Sequence, residues 1–415
     1  MNEFSIIFLF FLVTSVLLKL WLNRRQMIHI IQHRGNVPDD FKDKIDLNAH
    51  QKAADYTLAK TRIATLSTIL GSAVLVMLTL GGFINVLLAL SQTYITDGIW
   101  AGVALIISVF ILSHLIELPI DIYQTFKIEQ QFGFNNTSAG QFIKDQFLQI
   151  SLMLIIGTPL LYALLSVMGQ MGPYWWLYGW LLTITFTFFM SWLMPTFIAP
   201  LFNKFTPLED DELKSRIQQL FKRCGFNSTG IYVMDGSKRS GHGNAYFTGI
   251  GNNKRIVFYD TLIESLNTDE IEAVLAHELG HFKCKHITKH MIVSTFVTLA
   301  GFALLGWLKQ QNWFFDGLGM TLINDAIALL LFILVLPIFT TFMQPISSRF
   351  QRKFEFEADA FACTMAKPEH LIQALVKLYR ENASTLTPDP IYSSFHHSHP
   401  PAGVRIDHLK SLASS

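Results

Sequence analysis

Hydrophobic residues in this chain gather in long blocks. Seven blocks, near 4–22, 65–91, 98–118, 148–167, 175–200, 290–308 and 322–345, are apolar enough to cross a bilayer; a helical crossing takes about 20 residues. The pattern predicts a polytopic α-helical membrane protein with seven transmembrane helices. The first block follows only three residues and lacks the short basic start of a cleavable leader, so it reads as a true span. The second and fifth are long enough to tilt or overhang. Pro195 and Pro200 predict a kink where the fifth ends.

Two polar segments carry shorter periodicities. In 201–289, DDELKSRIQQLFKRCGF predicts an amphipathic helix closing near Gly225, and GIYVM predicts a short strand. NAYFTGI and RIVFYDT flank GNNK and predict a hairpin. NTDEIEAVLAHELGHFKCKH then predicts a helix capped by Asn267 or Thr268 that runs directly into the sixth span. In 346–415, helical character near 352–366 and 369–383 precedes a Pro-rich stretch. The chain thus divides into 1–200 with five spans, 201–289, 290–345 with two spans, and the tail 346–415.

Composition agrees with the blocks. The chain is 51% hydrophobic and 15% charged, where soluble domains run near 25% charged. A net charge of +1 gives no support for a nucleic-acid partner. Three cysteines (Cys224, Cys284, Cys363) are too few and scattered for a disulfide scaffold, and read as small hydrophobes. Basic residues alternate between loops: 24–62 holds eight Lys or Arg, 119–147 two, 201–289 twelve and 346–415 eight, whereas the loops between them hold only Lys309. The positive-inside rule then puts the N-terminus outside and the C-terminus in the cytoplasm.

Chemistry concentrates in AHELGH, residues 276–281. His277 and His281, four apart, share one helix face. Glu278 beside them is suited to act on a metal-activated water, the HExxH arrangement of zinc peptidases. An ordinary helix with two satisfied histidines would give the same string. A third ligand is needed. Position 287 is Ile rather than His, and Cys284 would crowd the helix that already carries two ligands. KFEFEADAFA offers Glu355 and Asp359, four apart: Glu355 can ligate zinc while Asp359 accepts a hydrogen bond from a ligating His. Glu357 between them reads as a solvated acid. A short connection makes the last two spans antiparallel neighbours, so their extensions could bring three ligands to one Zn2+.

GNAYFTGI looks like an edge strand to which a peptide could add, with Asn244 supplying a polar side chain and Ala245 and Tyr246 beside it. FHHSHPPAGVRIDH packs four histidines into 14 residues, and could bind metal by itself or supply a cation near a tetrahedral intermediate.

AHELGH, KFEFEADAFA, GNAYFTG, SHPPAGVR and FKIEQQFGFNNTS together resemble the type I CAAX prenyl proteases, integral-membrane zinc metalloproteases also known as a-factor-converting or farnesylated-protein-converting enzymes. The resemblance covers nearly the whole chain. It implies one Zn2+ on His277, His281 and Glu355, Glu278 as catalytic base and acid, and Asp359 behind a ligating His. It also implies a substrate-strand role for Asn244, and roles for His399 and Arg405 at the HPP-x3-R positions, in oxyanion stabilisation or the site's charge network. The implied fold is a ring of seven long helices around an intramembrane chamber, capped by a cytoplasmic α+β zincin-type (gluzincin) domain. The implied substrates are peptides or proteins with a prenylated C-terminal CAAX motif, met at the lipid bilayer. The compact chain, ending KSLASS without a retrieval signal, fits a bacterial member in the inner membrane. Two other readings stay open: a quality-control zinc protease of the related heat-shock type, and a metal-binding transporter. The latter should show ionisable residues inside its spans, which hold few beyond His114 and Glu117.

Overall fold

The computed structural model describes residues 2–226, 230–248 and 255–413. Seven of its helices are long and apolar enough to cross a membrane: Glu3–His33, Leu47–Leu78, Gly98–Phe132, Ala139–Gln170, Gly172–Phe202, His286–Leu308 and Asp325–Met365. Most overshoot their apolar blocks because their polar ends are capped. Asp46 accepts a bond from the Ala49 amide and so starts the second span well before residue 65. Ser138 does the same for the fourth through Gln141. The second block is also not one helix to residue 91. Its helix stops at Leu78, Gly82 takes a left-handed φ of 74°, and a separate helix runs Phe83–Tyr94. The fifth span loosens into a wider turn at Met194–Ile198, where Pro195 lacks an amide proton.

Each span packs on the next in sequence, and the seventh on the first. At the end holding Asn2, side chains such as Val103, Leu105, Ile106, Leu165 and Leu330 are fully buried. Burial differs between spans: 6% of the apolar window of the fifth is buried and 11% of the fourth, against 44% of the seventh. A solid bundle would bury one stripe along each helix. Packing in chain order, with the seventh span against the first, arranges the seven spans as a ring. Asn2 bonds the Trp313 carbonyl (2.7 Å), so segment 309–321 lies at the N-terminal end. Arg25, farther along the first span, pairs with Asp389 (2.9 Å), so the tail lies at the opposite end.

That opposite end carries a four-stranded sheet ordered β1-β2-β4-β3, with β1 Phe205–Pro207, β2 Gly230–Met234, β3 Ala245–Thr248 and β4 Arg255–Tyr259. β3 and β4 pair antiparallel, Ala245 opposite Phe258, as the hairpin reading requires; its connection, 249–254, lies outside the described residues. β3 is an edge strand. The amphipathic helix Asp211–Cys224 ends at left-handed Gly225 and buries Ile217, Leu220 and Phe221 in one core with Ile256 and Phe258.

The HExxH helix spans Thr268–Lys283, started by a reciprocal cap in which Asn267 accepts from the Glu270 amide and Glu270 from the Asn267 amide. It does not run directly into the sixth span. Lys285 adopts a left-handed φ of 56°, and a new helix begins at His286. The seventh span continues through a tight turn at Thr341–Met343 into the helix Gln344–Met365, which carries Glu355. The helix carrying His277 and His281 and the helix carrying Glu355 meet at Gly280. A Cβ there would lie 2.8 Å from the Ala358 Cα and 2.9 Å from its carbonyl oxygen. Gly280→Ala should therefore lower the melting temperature, as overpacking by about 1–3 kcal/mol would. Adding Ala358→Gly should not restore it, because the obstruction is backbone. Unchanged thermal unfolding of Gly280→Ala would contradict this packing.

Candidate metal centre

The close approach at Gly280 converts two sequence motifs into one cluster. His281 Nε2 lies 3.2 Å from His277 Nε2 and 3.3 Å from Glu355 Oε1, and His277 Nε2 lies 3.5 Å from Glu355 Oε2. These three donors converge on one point and could hold a metal ion. His277 and Glu355 are buried, and His281 faces a cavity. Glu355 Oε2 is buried without an aligned hydrogen-bond donor, although His399 Nδ1 lies 2.8 Å away. An orphaned carboxylate oxygen facing two imidazoles is the arrangement a divalent cation would complete.

A second layer fixes these donors. His277 Nδ1 lies 2.8 Å from Asp359 Oδ1, so a proton on Nδ1 would face that carboxylate and leave Nε2 free to ligate. Asp359 is fully buried and is gripped by two Arg405 nitrogens, at 2.9 and 2.5 Å. Arg405 also reaches within 3.7 Å of Glu355. Asp359 sits one turn past Glu355, and Arg405 comes from the helix Ala402–Ala413 that follows the two prolines. Burial and the Arg405 charge disfavour a proton on His277, yet Asp359 and Glu355 outweigh them and raise its pKa.

A cavity of about 940 Å³ opens beside the cluster, lined by Glu278, His281, Glu355, His399 and Tyr246 among others. Asn244 lines a neighbouring cavity of about 1030 Å³, which shares Ser398 and His399 with the first. The Asn244 side chain turns back to accept from the Ala245 amide (2.8 Å), so it caps its own strand here. Ala245 packs against the core. Burial pushes the Tyr246 phenol up to about 12, keeping it protonated.

The His-rich tract diverges instead of forming its own metal cluster among the described residues. His396 packs at a tilt against Tyr392, His397 bonds Ser393 and His408 meets Phe356. Burial takes His397 down to about 4, so it is neutral near physiological pH. Only His399 and Arg405 from this stretch reach the centre.

Three participants escape the sequence reading. Arg352 donates to the carbonyls of His397 (3.2 Å) and Ser393, and so holds the segment leading to His399. Its position three before Glu355 was the available signal. Glu357 is not merely solvated: it pairs with His286 at 2.9 Å and Lys289 at 3.5 Å. His286 itself lies against His281. All three cysteines are free; Cys224 is buried, and Cys284 and Cys363 are partly exposed.

Comparison with known proteins agrees with this geometry. Residues 26–204 match the family described as CAAX prenyl protease N-terminal, five membrane helices, and residues 207–413 match Peptidase family M48. CAAX prenyl protease 1 of Saccharomyces cerevisiae is 38% identical over 314 residues, covering 72% of this chain and 69% of that protein. The Homo sapiens CAAX prenyl protease 1 homolog is 31% identical over 451 residues, covering 97% and 94%. The crystal structure of S. mikatae Ste24p superposes with a TM-score of 0.91 at 32% identity over 99% of both chains. Seven spans in a ring, a gluzincin-like donor set and these matches together place the chain in the CAAX prenyl protease 1 family, as a multi-pass membrane metallopeptidase.

Proposed function

We propose that this protein is a zinc endopeptidase that removes C-terminal residues from prenylated CAAX-type substrates, with its site on the cytoplasmic face. The observation that carries the zinc reading is the donor spacing of 3.2–3.5 Å. Tetrahedral zinc, with bonds of about 2.0–2.1 Å, sets its ligand atoms about 3.3 Å apart. His277, His281 and Glu355 would hold the ion, and bound zinc supplies a polarised carbonyl and an acidified water. Glu278, next to His277 on the same helix, is suited to take a proton from the attacking water and to return it to the leaving amine. His399, 64% exposed above Glu355, and Arg405 are suited to face the developing oxyanion and balance charge.

Strand polarity supports a direction for the substrate. A peptide adding antiparallel to the free edge of β3 would run from Thr248 towards Asn244. Its upstream part would then face the cavity at Tyr246–Thr248, whose wall includes Phe226, Phe247, Ile287, Met291 and Phe354. That apolar wall, beside the sixth and seventh spans, suits a prenyl group. The departing C-terminal residues would face the more polar cavity at Asn244. The cytoplasmic placement is supported by the loops 24–62, 201–289 and 346–415, which hold 28 of the 32 Lys and Arg residues and lie at the site's end.

Purified protein in detergent should cut a farnesylated CAAX peptide and leave the matched unmodified peptide intact. Equal cleavage of both would mean a broader membrane-protein protease. Glu278→Gln should retain zinc and lose at least 100-fold in rate, the order of general acid–base assistance, about 10²–10⁴. His277→Ala should lose both metal and cleavage. Retained cleavage in Glu278→Gln would sink the mechanism.

Metal loading should also depend on pH. A ligating imidazole must be deprotonated, and the carboxylates beside His277 raise its pKa. Zinc occupancy should therefore hold at and above neutral pH and fall as acidification protonates His277, read by titration against a chelator. Constant affinity throughout the mildly acidic range would contradict it.

A further inference from the structure

We infer that His286 and Glu357 form a hydrogen-bonded relay that fixes the ring of His281, and so act as positioning residues for the metal. The inference rests on His281 being a ligand, as proposed above. His281 Nδ1 lies 3.0 Å from His286 Nδ1, and His286 Nε2 lies 2.9 Å from Glu357 Oε2. The protons in this chain follow from the ligand role. If Nε2 of His281 ligates, its Nδ1 carries the hydrogen and donates to His286 Nδ1. His286 must then carry its own hydrogen on Nε2, where the Glu357 carboxylate accepts it. Each atom has one role and none is left over.

The backbone is shaped to make this contact. On an unbroken helix, a residue five ahead lies about 140° around the axis, away from the His281 face. The left-handed Lys285 ends the HExxH helix and restarts it at His286, turning that ring back onto His281. His286 is 2% exposed and stacks on Phe354, ring centroids 4.2 Å apart and 13° from parallel. Phe354 precedes Glu355, so the helix that supplies the third ligand also clamps the relay. Lys289 at 3.5 Å and Lys353 at 3.9 Å hold the Glu357 carboxylate. The result parallels the other ligating histidine: His277 leans on Asp359 directly, and His281 leans on Glu357 through one more imidazole.

Cys284, His286 and Glu357 also bring donors within 4.8 Å of one another, close enough to hold a second metal. Both His286 nitrogens are already engaged, which favours the relay.

The test measures zinc affinity by chelator competition, zinc stoichiometry, and apo-protein melting temperature in detergent. His286→Phe, which keeps the stack on Phe354, and Glu357→Leu should each weaken zinc binding about 10–100-fold. Glu357→Gln, which retains an acceptor oxygen, should fall between them and wild type. The double variant His286→Phe/Glu357→Leu should be no weaker than the worse single variant, since both act through one chain of bonds. Apo melting temperature should stay near wild type, and saturating zinc should restore most of the turnover. Wild-type zinc affinity in both single variants would overturn the relay. So would two zinc ions per chain with the second lost in Cys284→Ser. His277→Ala run alongside separates the two readings: if it keeps wild-type affinity, the metal-site assignment fails, whatever His286 does.

Discussion

A Cβ on Gly280 would sit 2.8 Å from the Ala358 backbone, so the helix carrying both histidines meets the helix carrying Glu355 with no side chain between them. That approach sets the distances in the centre. Residues on one helix supply two donors at fixed spacing, and only close packing brings a third from another helix to about tetrahedral range. The seventh span delivers its helix by running on past Thr341–Met343 to Met365. The ring of spans thus serves as the frame that aligns a catalytic fragment spread over two regions of sequence.

The buried charges behind the two histidines depend on the same packing. Asp359 is fully buried, and its cost is offset only because Arg405 and His277 both bond it. Removing one partner would strand the others in a dry interior. Such a network is weak support for stability but strong support for a single geometry of His277. Arg352 extends it outward by holding the carbonyls that precede His399. The tail is therefore joined to the centre at two points, Arg405 and His399, and to the first span through Asp389 and Arg25.

Much of this was legible in the chain because helices repeat. His277 with His281, and Glu355 with Asp359, announce their shared faces by spacing alone, and apolar length announces the spans. What stayed hidden turns on backbone conformation. The second span breaks at Gly81–Gly82 inside an apolar run, where hydropathy sees no boundary. The break after the HExxH helix falls on Lys285, and lysine in a left-handed conformation has no compositional signature, as glycine would. Missing that break hid His286, and missing His286 left Glu357 looking like a solvated acid. The polar helix ends were lost for a simpler reason: caps such as Asp46 and Ser138 carry a helix past the point where its apolar residues stop.

Two imidazoles and one carboxylate would hold one divalent ion across the Gly280 contact. X-ray absorption at the zinc edge on the purified, zinc-loaded protein tests it most directly. Nitrogen and oxygen alone should surround the zinc, with the multiple-scattering pattern of two imidazoles. A sulfur scatterer at the longer distance of a thiolate bond would instead put the ion on Cys284, and would contradict it.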